Sequence, residues 1–161
     1  MKWYEVVKIE VKGNRIVAKD AMILLSQDEE SPQWPTVSVA PGQYIVEIHL
    51  PQDWYCTRFR IRPVNSSPDV GGEVGSFDVD NGKAAFIDYD HFMSVVSHDY
   101  DAYEEWTGTE LDDELAINFS GQIDFGDSPL VYVKSADGDG RFSAFELKEN
   151  DAVVGLECRF D

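Results

Sequence analysis

The chain has 161 residues, 43% of them hydrophobic and 12% aromatic, enough apolar material for one ordinary core and too much for an intrinsically disordered segment. Its 31 Asp and Glu against 13 Lys and Arg leave a formal charge of -18, a field that repels phosphate backbones and anionic lipid, so neither nucleic acid nor a membrane surface is expected as a partner. The same field would steer a basic protein inward, although acidity also serves solubility alone.

The opening residues, MKWYEVVKIEV, carry Glu5, Lys8 and Glu10 and contain no apolar core of signal-peptide length. No run approaches the roughly 20 apolar residues of a membrane span, so a cytoplasmic location is expected. Runs rich in Val, Ile, Tyr, Phe and Thr then recur between clusters of Gly, Pro, Asn and Asp, which is the pattern of strands and turns. In order they are WYEVVKIEV, RIVAK, MILL, TVSVA, YIVEIHL, YCTRFRIR, VGSFDVD, KAAFIDY, AINFS, PLVYVK, RFSAFELK and AVVGLECRF. In YIVEIHL, Tyr44, Val46, Ile48 and Leu50 share one side while Glu47 and His49 share the other. SQDEESPQWP and RPVNSSPDVGG read as exposed loops.

Turn chemistry is specific at Asn81-Gly82, where positive φ is tolerated and a type I′ hairpin between VGSFDVD and KAAFIDY is expected. Pro41-Gly42 predicts a second turn. Only DHFMSVVSHDYDAYEEW has helical spacing: Phe92, Val95, Val96, Tyr103 and Trp106 fall at three- and four-residue steps, with Asp90 as N-cap. One helix over residues 90–106 is expected, and a turn or two at TELDDEL capped by Thr109. The expected fold is mainly β, a single domain over residues 1–161, an antiparallel sandwich or barrel-like sheet with that helix laid across it. By strand phase Cys56 goes with Arg58, Arg60 and Arg62, and Cys158 with Val154, Leu156 and Phe160, so two free thiols in different surroundings are expected.

Four groups of residues could carry function. In KSADGDGRFSAFELKEN, Ser135, Asp137, Asp139, Ser143 and Glu146 fall at positions 1, 3, 5, 9 and 12 of an EF-hand loop and Gly140 at the turn position, so Ca²⁺ is the one cofactor the spacing suggests. Gly126, Pro129 and the β-type run before it oppose an entering helix, so the favoured reading makes Asp137 to Gly140 a hairpin between PLVYVK and RFSAFELK, with a second turn at Asn150-Asp151. His91, Ser94, His98 and Asp101 would share one helix face, and two imidazoles with a carboxylate suit a metal-dependent hydrolase. Seven residues nevertheless separate the rings by about 10 Å along a helix, and the exposed polar face is favoured. Arg58, Arg60 and Arg62, three of the six arginines, form a stripe that could take an anionic partner segment or neutralise Glu47 and Asp78 on neighbouring strands. Glu104, Glu105, Asp112, Asp113 and Glu114 surround Trp106, as an aromatic anchor among steering charges would be surrounded, unless Trp106 belongs to the core. Motifs of nucleophile elbows, phosphate loops, dinucleotide folds and zinc proteases are absent from the sequence.

The succession VKGNRIVAKD, VSVAPGQYIVEIHL, RFRIRPV, VDNGKAAFIDYD, FGDSPLVYV and VVGLECRF resembles that of small bacterial all-β proteins in families of unknown function. Some comparable small acidic proteins are immunity proteins that neutralise a toxin, which is what the resemblance implies here; it assigns no residue a role. The leading expectation is a non-catalytic acidic domain that binds a basic protein. The alternative is a calcium-binding β module using the loop from Asp137 to Glu146, and a metal-dependent hydrolase is third.

Overall fold

The computed structural model describes residues 2–26, 34–52, 55–135 and 138–161. In chain order the strands are β1 (Trp3–Val11), β2 (Arg15–Asp20), β3 (Thr36–Ser38), β4 (Gly42–His49), β5 (Arg58–Pro63), β6 (Asp69–Val79) and β7 (Lys83–Asp88). Helices α1 (Tyr89–His98) and α2 (Tyr100–Trp106), a π-helical turn (Thr107–Leu111) and α3 (Asp112–Ile117) follow. Strands β8 (Ser120–Phe125), β9 (Ser128–Lys134), β10 (Gly140–Glu149) and β11 (Ala152–Arg159) complete the chain.

Two antiparallel sheets face each other, with strand orders β1-β4-β5-β11-β10-β6 and β3-β2-β7-β9-β8, and the helices cover the outer face of the second. Between the sheets lies a core that includes Ile16, Val46, Phe59, Ile61, Phe86, Val131 and Leu156. Phe59 of one sheet stacks on Phe86 of the other at 4.1 Å between ring centroids. A second core, with Val17, Ile87, Phe92, Tyr103, Trp106, Leu115 and Tyr132, fills the space between the second sheet and the helices. The sandwich-like, mainly β fold read from the sequence is therefore the observed one. Burial on both faces explains why KAAFID and SPLVYV read as continuous apolar runs: in β7 and β9 both sides of the pleat meet a core.

The turns differ from expectation in one consistent way. Asn81-Gly82 does turn the chain, with Gly82 at φ 71°, but β6 and β7 belong to different sheets and do not pair, so the expected hairpin is a corner. The buried carboxylate of Asp20 holds it, accepting from the Asp80 and Asn81 amides at 2.6 and 3.2 Å. The strands on either side of DGDG are likewise in different sheets: β9 pairs with β7 and β8, and β10 with β6 and β11, so PLVYVK and RFSAFELK are not hairpin partners. By contrast Asn150 and Asp151, at φ 54° and 65°, close a true hairpin between β10 and β11. The MILL run is not a strand but turn and loop. AINFS is not a strand: Ala116 and Ile117 end α3, Asn118 and Phe119 connect, and Ser120 begins β8.

Both cysteines are free and buried, but they share the core between the sheets rather than different surroundings. The bend at Thr57 breaks the alternation ahead of β5, so the phase of Cys56 does not follow that of the arginines. Burial pushes the Cys56 thiol up to about 12 and Cys158 well above its ordinary value. Gly155 is required by a close approach, since a Cβ there would lie 2.1 Å from the Ile61 carbonyl oxygen on β5.

Candidate functional site

The helical layer is built from a broken apolar stripe. The helix expected over residues 90–106 is interrupted at Asp99, whose backbone leaves the helical region (φ -152°, ψ 86°). Its carboxylate accepts from the Ala102 amide at 3.1 Å and so caps α2. Asp90 is not the cap of α1: it sits in the first turn and pairs with Arg15 at 2.5 Å, while Asp88 binds the Lys12 and Gly13 amides. After α2 the apolar step lengthens from three or four residues to five, from Trp106 to Leu111, and the π-helical turn supplies the extra residue that keeps both side chains inward. Thr109 is inside this turn, its hydroxyl donating to the Glu105 carbonyl at 2.7 Å, so it caps nothing.

Trp106 is only 6% exposed. It packs with Tyr103 and Phe125 at ring-centroid distances of 6.2 and 5.3 Å, so it is part of the core and not a projecting anchor. It also lines a cleft of about 400 Å³ between the helices and β8, whose other walls include Glu105, Glu110, Asp124, Phe125 and Gly126. The Trp106 indole nitrogen is buried and has no hydrogen-bond partner among the described residues. Glu104, Glu105, Asp112 and Asp113 are exposed around this cleft and its helix. Glu114 is different: it accepts from the Tyr132 hydroxyl and from Asn118 Nδ2, the latter at 2.8 Å, and so ties α3 to β9. Burial and that contact with Glu114 together push the Tyr132 phenol upward. From Tyr100 to Ile117 the chain carries seven carboxylates and no Lys or Arg.

The arginine stripe lies on the outer face of the first sheet and is largely committed to internal pairing. Glu47 is buried and accepts from Arg60 Nε at 2.9 Å and Arg62 Nε at 2.7 Å. Burial alone would raise its carboxyl, but the hydrogen bonds from Arg62 and Arg60 outweigh it and hold Glu47 below the ordinary carboxylate range. Arg60 also lies over the Trp3 ring at 3.8 Å, and Arg62 Nη1 reaches the carbonyls of Pro63, Val64 and Ser66. Asp78, expected against this stripe, pairs instead with Arg141 at 3.1 Å. Arg58 is the least engaged of the three, 3.6 Å from Asp161.

The EF-hand spacing does not become an EF-hand loop. Ser135 is buried at the end of β9, its hydroxyl donating to the Gly138 carbonyl, and Asp137 lies outside the described residues. Ser143 and Glu146 are on the extended β10, where Glu146 packs over Gly71 and pairs with Lys148 at 3.5 Å. Six strand residues, roughly 20 Å, separate Glu146 from Gly140, too far for it to share an ion with Asp139. The histidine set is also dispersed: His91 bonds Asp127 at 2.9 Å, while His98 and Asp101 fall on either side of the break at Asp99. Lys12 and His91 together hold the Asp127 carboxyl below its ordinary range. Among the described residues no group of three His, Cys, Asp or Glu side chains could hold a metal ion, and no helix is long and apolar enough to cross a membrane.

Two carboxylates of the cleft are not among those expected from the sequence: Glu110, which the π-helical turn carries to the cleft, and Asp124, whose strand, β8, was not expected. Ile123 and Phe125 alternating with Gln122 and Asp124 were the available signal. No family model, no curated protein and no solved structure matches the chain.

Proposed function

We propose that the chain is a non-catalytic binding domain that takes a basic protein on its helical layer, with a Lys or Arg side chain of that partner entering the cleft beside Trp106. One observation carries this reading: Glu105, Glu110 and Asp124 wall the cleft, and among the described residues no cation of the chain pairs with any of them. Carboxylates around a cleft attract an alkylammonium or guanidinium through charge, while the part of Trp106 that lines the cleft gives its alkyl stem an apolar contact. The surrounding Glu104, Asp112 and Asp113 would accelerate encounter without being buried themselves. Neutralisation of a basic toxin is the specific form of this function that the resemblance to immunity proteins implies.

The test is affinity capture from the native host with the wild-type chain and with Glu105→Gln/Glu110→Gln. The reading expects a basic protein retained by the wild type, released by about 1 M salt, where the screening length falls to about 3 Å, and lost by the variant. Equal retention by both chains in high salt would refute it.

A further inference from the structure

On the outer face of the first sheet, Arg58 of β5 lies directly opposite Arg159 of β11. Like charges facing each other across a ladder are destabilising, and strands ordinarily avoid them. At the same end of the sheet a cavity of about 450 Å³ is lined by these two arginines, Arg141, Phe142, Phe145 and Phe160. Half of the chain's six arginines thus converge on one cavity in a protein of formal charge -18.

Their own carboxylates leave donors over. Arg159 bonds Glu157 through Nε at 2.9 Å, and no hydrogen bond among the described residues engages its Nη1 or Nη2. Arg141 uses Nη1 alone, toward Asp78 at 3.1 Å. Arg58 Nε is buried without a hydrogen-bond partner, and the carboxylate nearest to this arginine, Asp161, stands 3.6 Å from Nη2. A buried donor without a partner forfeits its hydration and gains nothing in return, so an incoming acceptor restores it at low cost. The Arg159 guanidinium lies over the Phe145 ring at 4.5 Å, which fixes its plane. Phe142 and Phe160 meet edge to face at 4.9 Å and supply an apolar wall.

We infer that this cavity binds a small carboxylate carrying a flat apolar body, its two oxygens bridging Arg58 and Arg159 and its body lying against Phe142 and Phe160. Guanidiniums match a carboxylate with paired, parallel donors. A monoanion is favoured over a phosphate because the charge of the chain opposes a dianion more strongly. Asp161 is a competing carboxylate that an incoming ligand displaces. The site is independent of the helical layer, which covers the other sheet.

Calorimetric titration of the full chain with benzoate tests this, with benzamide and inorganic phosphate as the other arms. Benzoate is expected to bind saturably, with benzamide and phosphate each weaker. Arg58→Gln and Arg141→Gln are expected to bind benzoate about tenfold more weakly, the loss of a charge-assisted hydrogen bond or of one positive charge. Asp161→Asn is expected to bind it more tightly, because it removes the competing charge at the cost of only a long, half-exposed ion pair. Absence of saturable benzoate binding, benzamide or phosphate binding as well as benzoate, or unchanged affinity in all three variants would overturn the inference.

Discussion

Asp20 and Asn81 meet at the corner where the chain leaves one sheet for the other: the buried Asp20 carboxylate receives the Asn81 amide at 3.2 Å and the Asn81 side-chain nitrogen at 3.3 Å. The adjacent Asp80 amide, at 2.6 Å, and the Met22 amide, at 2.9 Å, complete the set. Asp20→Ala orphans these part-buried donors together and is expected to cost about 2–4 kcal/mol, an unpaired donor being worth about 1–3 when fully buried and less where water can reach it. An unchanged urea midpoint would show that water replaces the carboxylate without loss.

The pairing of Glu47 with Arg60 and Arg62 has a pH signature. Its folded carboxyl is held below the ordinary range, so its contribution is present above the unfolded value, near 4.5, and is lost as pH falls through the folded one. Glu47→Gln is expected to destabilise by about 3 kcal/mol at neutral pH, since it leaves two guanidiniums facing an amide in a largely buried site. The difference from wild type should narrow below pH 4.5. Chemical denaturation at several pH values measures it, and a pH-independent difference would assign the loss to packing.

Lys19 presents the opposite sign. It is 1% exposed, and its ammonium donates to the Asp20 carbonyl at 2.6 Å. Burial lowers it from 10.5 to about 8. Between those values the unfolded chain holds the proton more tightly, so this residue's penalty shrinks as pH rises from about 8 toward 10.5. Lys19→Met is expected to be more stable than wild type at pH 7, by up to about 3 kcal/mol on the 1.36 kcal/mol per pKa unit scale, with the gap closing toward pH 10. Unfolding curves of the pair across this range decide it.

Two glycines should respond in opposite directions to alanine. At Gly155 the new Cβ would press on the Ile61 backbone, which cannot rotate away, and a loss of about 2 kcal/mol or more is expected. Gly108, in the π-helical turn, has nothing within 4 Å of such a Cβ. There alanine should stabilise by about 0.4–1 kcal/mol through the unfolded chain's lost freedom. Thermal melts of the two variants side by side are sufficient.

These relationships also show how far the sequence could be read. Strand alternation and turn residues located ten of the eleven strands among the described residues because each depends on neighbours two residues away. Which strands pair is a long-range property. Asn81-Gly82 bends the chain equally well into a hairpin or around a sheet corner, and the deciding group, Asp20, is 61 residues distant. The same holds for the DGDG stretch, whose EF-hand spacing was undone by β10 extending from Gly140 onward. Among the candidate contacts, exposed carboxylates such as Glu105 were legible from charge. The burial of Trp106 was not, because it follows from a five-residue step that only a π-helical turn makes helical.

The cleft beside Trp106 is observed directly by the indole N–H resonance of that residue. Titration with N-acetyl-arginine amide is expected to shift the Trp106 signal saturably while Trp3, on the far sheet, stays in place. Glu105→Gln/Glu110→Gln should abolish the shift, and Asp69→Asn/Glu73→Gln, which removes the same charge from exposed sites on β6, should preserve it. Equal loss in both variants, or a Trp106 signal that never moves, would contradict a basic side chain seated between those carboxylates.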